Sequence, residues 1–175
     1  WQPLDPAYPD ERIGRLLRDS GASLVLCPDK EGDRFDIPVL AVDAPDTASL
    51  LARAAAEPAG PCGADAGAYI IHTSGSTGRP KGVLVSHAGI TGLAQEYAVY
   101  GIAPGSIMMQ FASHSFDGAL WEMGACLLAG ATMLMADDGE RLLGADFRAL
   151  LSRCTHAALT PATVLALGAD AIPDG

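Results

Sequence analysis

The sequence predicts an α/β fold: alternating strands and helices, with a mostly parallel sheet layered with helices. Short apolar runs alternate along the chain with longer segments of helical periodicity. Start and stop residues bracket the helical segments. The composition is 49% hydrophobic and 18% charged, ordinary for a globular protein, and 175 residues can enclose one sizeable core.

Taken in order, Asp10 to Ser20 reads as a helix. Ile13, Leu16 and Leu17 form its apolar face, Pro9 and Asp10 suit its start, and Gly21 suits its stop. Leu24 to Cys27 reads as a short buried strand and Val39 to Val42 as another. Thr47 to Glu57 is an alanine-rich helix. Residues 57–67, EPAGPCGADAG, form a surface connection rich in Pro, Gly and Ala. Tyr69 to Thr73 is a strand, Ser74 to Gly82 a polar glycine-rich loop, and Val83 to Val85 a strand. Ser86 is placed to cap a helix over His87 to Tyr100. Ile107 to Phe111 is a strand, Asp117 to Ala129 a helix stopped by Gly130, and Thr132 to Ala136 a strand. Phe147 to Cys154 is a helix and Ala157 to Leu159 a strand. Thr160-Pro161 opens a last helix through Leu167.

Charge and cysteine usage narrow the function. A net charge of −10 repels phosphate backbones, so nucleic acid is not an expected partner. Cys27, Cys62, Cys126 and Cys154 show neither zinc nor redox spacing and read as reduced thiols of a cytoplasmic protein. No metal ligand is expected among His72, His87, His114 and His156. The most apolar stretch, Ala125 to Ala136, is too short to cross a bilayer, so no membrane partner is expected.

The strongest local signal is Thr73-Ser74-Gly75-Ser76-Thr77-Gly78-Arg79-Pro80-Lys81-Gly82. Four hydroxyls and three glycines crowd into ten residues after an apolar strand. Glycines let successive backbone N–H groups converge on an anion, hydroxyls add donors, and Lys81 adds a compact cation. The spacing is not that of a Walker loop, because Lys81 is followed by Gly82 and then by a strand. On spacing alone, a flexible Gly/Ser hairpin loop remains open. Asp117 is a second signal. It begins the series Asp117, Leu120, Trp121, Gly124, Leu128, the expected apolar stripe of its helix. A carboxylate there either sits in the positive end of the helix dipole or awaits a ligand cation. Glu122 lies off that stripe and reads as solvated or structural.

Tyr69-Ile70-Ile71-His72 followed by TSGSTGRPKG closely resembles the signature of adenylate-forming enzymes, which include nonribosomal peptide synthetase adenylation domains, acyl- and aryl-CoA ligases and luciferases. Pro3 to Ile13 resembles the PLDPxYPxERI stretch of the synthetase domains, and Phe111 to Glu122 resembles their FDxSxWE segment. His72 stands where Tyr is usual, and Ala119 where Ser is frequent. The resemblance implies that residues 1–175 are part of the N-terminal core of an adenylation domain, with residues 73–82 as phosphate loop and 111–129 as substrate-pocket segment. It implies that Thr73, Ser74, Gly75, Ser76, Thr77, Gly78 and Lys81 bind ATP, with Thr77 and Lys81 acting in catalysis. It implies that Asp117 pairs with a substrate α-ammonium and that Gly118, Trp121 and Ala158 line the side-chain pocket. ATP and Mg²⁺ are the implied cofactors, with the magnesium ligands, a ribose-binding Asp and a lid lysine expected outside this chain. The implied partners are an amino acid, a phosphopantetheinyl carrier protein and neighbouring synthetase domains. The chain alone is then expected to be inactive. An acyl- or aryl-CoA ligase and a non-catalytic scaffold fragment are the alternatives.

Overall fold

The computed structural model describes residues 1–54, 60–74, 80–136 and 145–168. Helix α1, Asp10–Ser20, buries Ile13, Leu16 and Leu17 and ends at Gly21, whose left-handed backbone (φ 66°) the absent Cβ permits. Strand β1, Val25–Cys27, pairs in parallel with β2, Val39–Ala41, with Val25 opposite Val39. The expected burial of β1 holds for Val25 alone. Leu24 and Leu26 are more than half exposed, because α1 covers a single face of this two-stranded sheet. The β1–β2 connection contains an unexpected 3-10 helix, Asp29–Arg34. Arg34 fastens it to the N-terminal segment, donating to Asp10 and Glu31 carboxylates and to the Pro6 and Tyr8 carbonyls. Helix α2 runs Pro45–Arg53. Helix α2 stops short of the expected end at Glu57, because the backbone is extended at Ala54 (ψ 131°); the first residues of the 57–67 connection lie outside the described residues, and residues 60–67 are exposed.

Strands β3, Gly67–Ser74, and β4, Pro80–Ser86, form an antiparallel pair with Ile71 opposite Val83. Pro80, Lys81 and Gly82 therefore belong to a strand and not to a loop; proline is tolerated as the first residue of a strand, where it interrupts no ladder behind it. Helix α3, His87–Val99, begins without the side-chain cap expected from Ser86. Its first N–H groups are satisfied by the preceding connection, His87 donating to Ala66 and Ala88 to Ala64.

The remaining elements wrap a parallel three-stranded sheet of order β6-β5-β7, built from β5 Ile107–Gln110, β6 Thr132–Met135 and β7 His156–Ala157. Helix α4, Asp117–Ala129, joins β5 to β6 and closes at Gly130 (φ 74°). Helices α5, Ala145–Leu151, and α6, Pro161–Leu167, flank β7 in sequence. The central strand is buried on both faces. Met108 packs with Tyr97, Ile102 and Ala125 of the α3/α4 side, and Met109 with Phe147, Leu150, Leu151 and Leu167 of the α5/α6 side. No helix among the described residues is long and apolar enough to cross a membrane.

Candidate functional site

The glycine-rich sequence hangs from the β3–β4 hairpin. Ser74 pairs with Pro80 and Thr73 with Lys81, so two hydroxyls and one ammonium share the root of the loop, exposed to solvent. Lys81 makes no ion pair among the described residues. Gly75, Ser76, Thr77 and Gly78 lie outside the described residues. His72 stands opposite Gly82, where a Cβ would come within 3.2 Å of the imidazole Nε2, so glycine makes room for the ring. The His72 Nδ1 meets Gln2 Nε2 at 3.2 Å, and burial holds its pKa below the usual histidine value.

Because β5, β6 and β7 run parallel, their carboxyl ends share one edge, the edge at which open α/β sheets place ligands. The 111–116 segment leaves that edge from β5, and Ala158 follows β7 there, half-buried. Asp117 is the first residue of α4. Contrary to the buried stripe expected, its side chain is exposed, as is Leu128; the buried residues of α4 are Ala119, Leu120, Glu122 and Ala125. The helix is apolar on nearly every side, so spacing alone could not select its buried face. Asp117 has no hydrogen bond or ion pair among the described residues and lies in the helix's positive first turn. Its charge reaches β3: burial first, and the Asp117 carboxylate second, push the Tyr69 hydroxyl above its usual pKa.

Gly118 is pressed against the segment before it, since a Cβ there would stand 3.3 Å from that of Ala112. Trp121 turns toward α3. Its ring lies 5.3 Å from that of Tyr97 and 5.8 Å from that of Tyr100, and its Nε1 donates to Glu96 Oε2 at 3.3 Å. Tyr97 is fully buried, donates to the Trp121 carbonyl at 2.8 Å, and has its pKa pushed up to about 12, chiefly by burial.

Of the two readings the sequence left for Glu122, solvated or structural, the structure has the structural one. It is fully buried and accepts the backbone N–H groups of Phe111 and Ala112, as well as Gln110 Nε2. One sign was legible: it is the sole charged residue between Gly118 and Gly130. A cavity of about 620 Å³ opens elsewhere, against α1 and β1, among Leu4, Ile13, Leu17, Val25 and Ile70. None of the residues expected to bind ATP or substrate lines it, and its one arginine, Arg34, is engaged by Asp10 and Glu31.

The family model described as AMP-binding enzyme matches residues 1–173. The chain belongs to this family. It is 37% identical over 176 residues to the probable non-canonical nonribosomal peptide synthetase CymA of Salinispora arenicola, an alignment covering 99% of this chain and 2% of that protein. It is also 37% identical to novobiocin biosynthesis protein H of Streptomyces niveus, covering 98% of this chain and 31% of that one. Among solved structures, the nonribosomal peptide synthetase FmoA3 with α-methyl-L-serine-AMP bound superposes with a TM-score of 0.71 at 29% identity, over 86% of this chain and 17% of FmoA3. The chain thus spans less than a third of each of these relatives, and it is an adenylation-type domain sequence of the nonribosomal peptide synthetase kind.

Proposed function

We propose that the protein carrying this chain activates an amino acid with ATP, forming aminoacyl-AMP and pyrophosphate, and passes the aminoacyl group to the thiol of a phosphopantetheinyl carrier protein. The observation that carries this reading is two exposed charges of opposite sign, neither ion-paired among the described residues. Lys81 stands at the root of a hydroxyl- and glycine-rich hairpin, and Asp117 stands at the first turn of α4, its field acting on the strand that leads into the same hairpin. A cation with hydroxyl donors suits a pyrophosphate; an isolated carboxylate suits an ammonium.

In this role Thr73, Ser74, Gly75, Ser76, Thr77, Gly78 and Lys81 hold the triphosphate, and Thr77 and Lys81 neutralise charge that develops as pyrophosphate leaves. Asp117 anchors the amine, so the attacking carboxylate is positioned rather than chemically altered. Gly118, Trp121 and Ala158 bring no charge to the side-chain pocket, which favours an uncharged, fairly apolar amino acid. Magnesium ligands lie outside this chain, and the chain alone does not turn over. FmoA3 has also been solved with the ATP analogue AMPPNP bound, superposing with a TM-score of 0.70, which supports ATP as the nucleotide. The domain works in the cytoplasm beside other synthetase domains.

A substrate panel in ATP–pyrophosphate exchange, run on the full-length protein, tests the reading. Amine-bearing acids with uncharged side chains should be preferred. Preference for a carboxylic acid without an amine would identify an acyl- or aryl-CoA ligase instead, and exchange with no acid at all would leave a non-catalytic module. Removing one donor aimed at developing charge typically costs ~3 kcal/mol, so Lys81→Ala should slow exchange roughly a hundredfold.

A further inference from the structure

We propose that Glu122 is a positioning residue for the amine-binding end of the substrate site, an inference that rests on the function proposed for Asp117. The chain leaves the sheet after Gln110: the β5–β6 ladder ends at Gln110 opposite Met135, and the β5–β7 ladder at Met109 opposite Ala157. The next two N–H groups, of Phe111 and Ala112, have no strand to donate to among the described residues. The Glu122 carboxylate takes them. Oε2 accepts Phe111 N–H at 3.1 Å, Oε1 accepts Ala112 N–H at 3.1 Å, and Gln110 Nε2 donates to Oε2 at 3.3 Å while also donating to the Ala112 carbonyl. Glu122 and Gln110 are both fully buried.

These bonds tie the second turn of α4 to the backbone at the sheet's carboxyl edge. Asp117 lies five residues earlier on the same helix, and Gly118, its neighbour, presses on Ala112, the residue Glu122 grips. The distance between the sheet edge and the Asp117 carboxylate is therefore set by Glu122. An apolar residue of similar size would fill the same space but leave the Phe111 and Ala112 N–H groups without their acceptor, so packing alone does not account for a carboxylate here. What the carboxylate adds is a fixed register between helix and loop.

The test is steady-state ATP–pyrophosphate exchange by the full-length protein, with Glu122→Gln, Gln110→Met and Asp117→Asn compared. Glu122→Gln keeps the volume but turns an NH₂ toward backbone N–H groups, which displaces the 111–116 segment. Its amino-acid KM should rise tenfold or more while its ATP KM stays within twofold. Gln110→Met removes one grip on the same segment and should raise the amino-acid KM about threefold; if Glu122→Gln fails to fold, this variant decides. A lowered kcat with amino-acid KM within twofold of wild type, in Glu122→Gln or in Gln110→Met, would show a merely structural group and overturn the inference. If Asp117→Asn raises the amino-acid KM and the other two do not, positioning by Glu122 is wrong and the substrate site stands. If Asp117→Asn leaves that KM unchanged, the proposed function fails first and the inference with it.

Discussion

Replacing Gly124 by alanine should destabilise the chain, although glycine is the poorest residue but proline inside a helix. Gly124 lies within α4, where exchange for alanine would ordinarily gain about 1 kcal/mol in propensity. Here the added Cβ would overlap Tyr97 Oη and stand 3.3 Å from Cζ and 3.6 Å from Cε2. Tyr97 cannot swing aside, since it is fully buried, packed with its ring tilted against Trp121 at 5.3 Å and bonded to the Trp121 carbonyl. Overpacking a filled core costs about 1–3 kcal/mol. Losing the tyrosine hydrogen bond costs about 1 kcal/mol more. Against the propensity gain, the net loss is roughly 1–3 kcal/mol, a fall of about 2–12 °C in melting temperature for a chain of this size. The assay is thermal and urea unfolding followed by tryptophan fluorescence, which Trp121 reports from within the contact. Tyr97→Phe removes the overlapping oxygen, so the double variant should recover at least ~1 kcal/mol relative to the sum of the single changes. Gly92→Ala, on α3 with nothing within 4 Å of its Cβ, is the control and should be neutral or stabilising. Gly124→Ala at or above wild-type stability, or strict additivity with Tyr97→Phe, would refute the packing described.

Three further outcomes follow from the structure. Phe147 is fully buried and meets Phe111 edge-on at 5.6 Å, so Phe147→Ala should cost about 3–5 kcal/mol in urea unfolding. Thr160 caps α6 by accepting from Thr163 N–H, and Thr160→Ala should cost ~1 kcal/mol in the same experiment. Burial lowers the His72 pKa from 6.5, so the unfolded chain takes up this proton first as pH falls. The histidine's contribution is full above pH 6.5 and is lost as pH drops through the depressed folded value; His72→Asn should flatten the melting temperature against pH on that acid side.

How much was legible in the sequence differs from element to element. Helices α1 and α4 have the boundaries expected, because Gly21 and Gly130 fix their ends with a backbone conformation that other residues resist. The hydroxyl- and glycine-rich hairpin and Asp117 were legible because their residue types are unusual for their places. The 3-10 helix at Asp29–Arg34 was not, because Arg34 holds it through contacts with residues about 20 to 30 positions earlier in the chain. The antiparallel β3–β4 pairing was obscured by the proline and glycine at the start of β4. Glu122 stayed open between solvated and structural because a helix apolar all round gives no period from which to tell inside from outside. The same ambiguity placed Asp117 in a buried stripe, when its side chain is exposed in the first turn of α4.

The most direct test of the central claim is amino-acid-dependent ATP–pyrophosphate exchange by the full-length protein with and without Asp117→Ala. A hydrogen bond to a charged group is worth about 1.5–3 kcal/mol. The account predicts that amino-acid activation falls roughly tenfold or more while the ATP KM stays within twofold. Exchange within twofold of wild type across a range of amino-acid concentrations would contradict it.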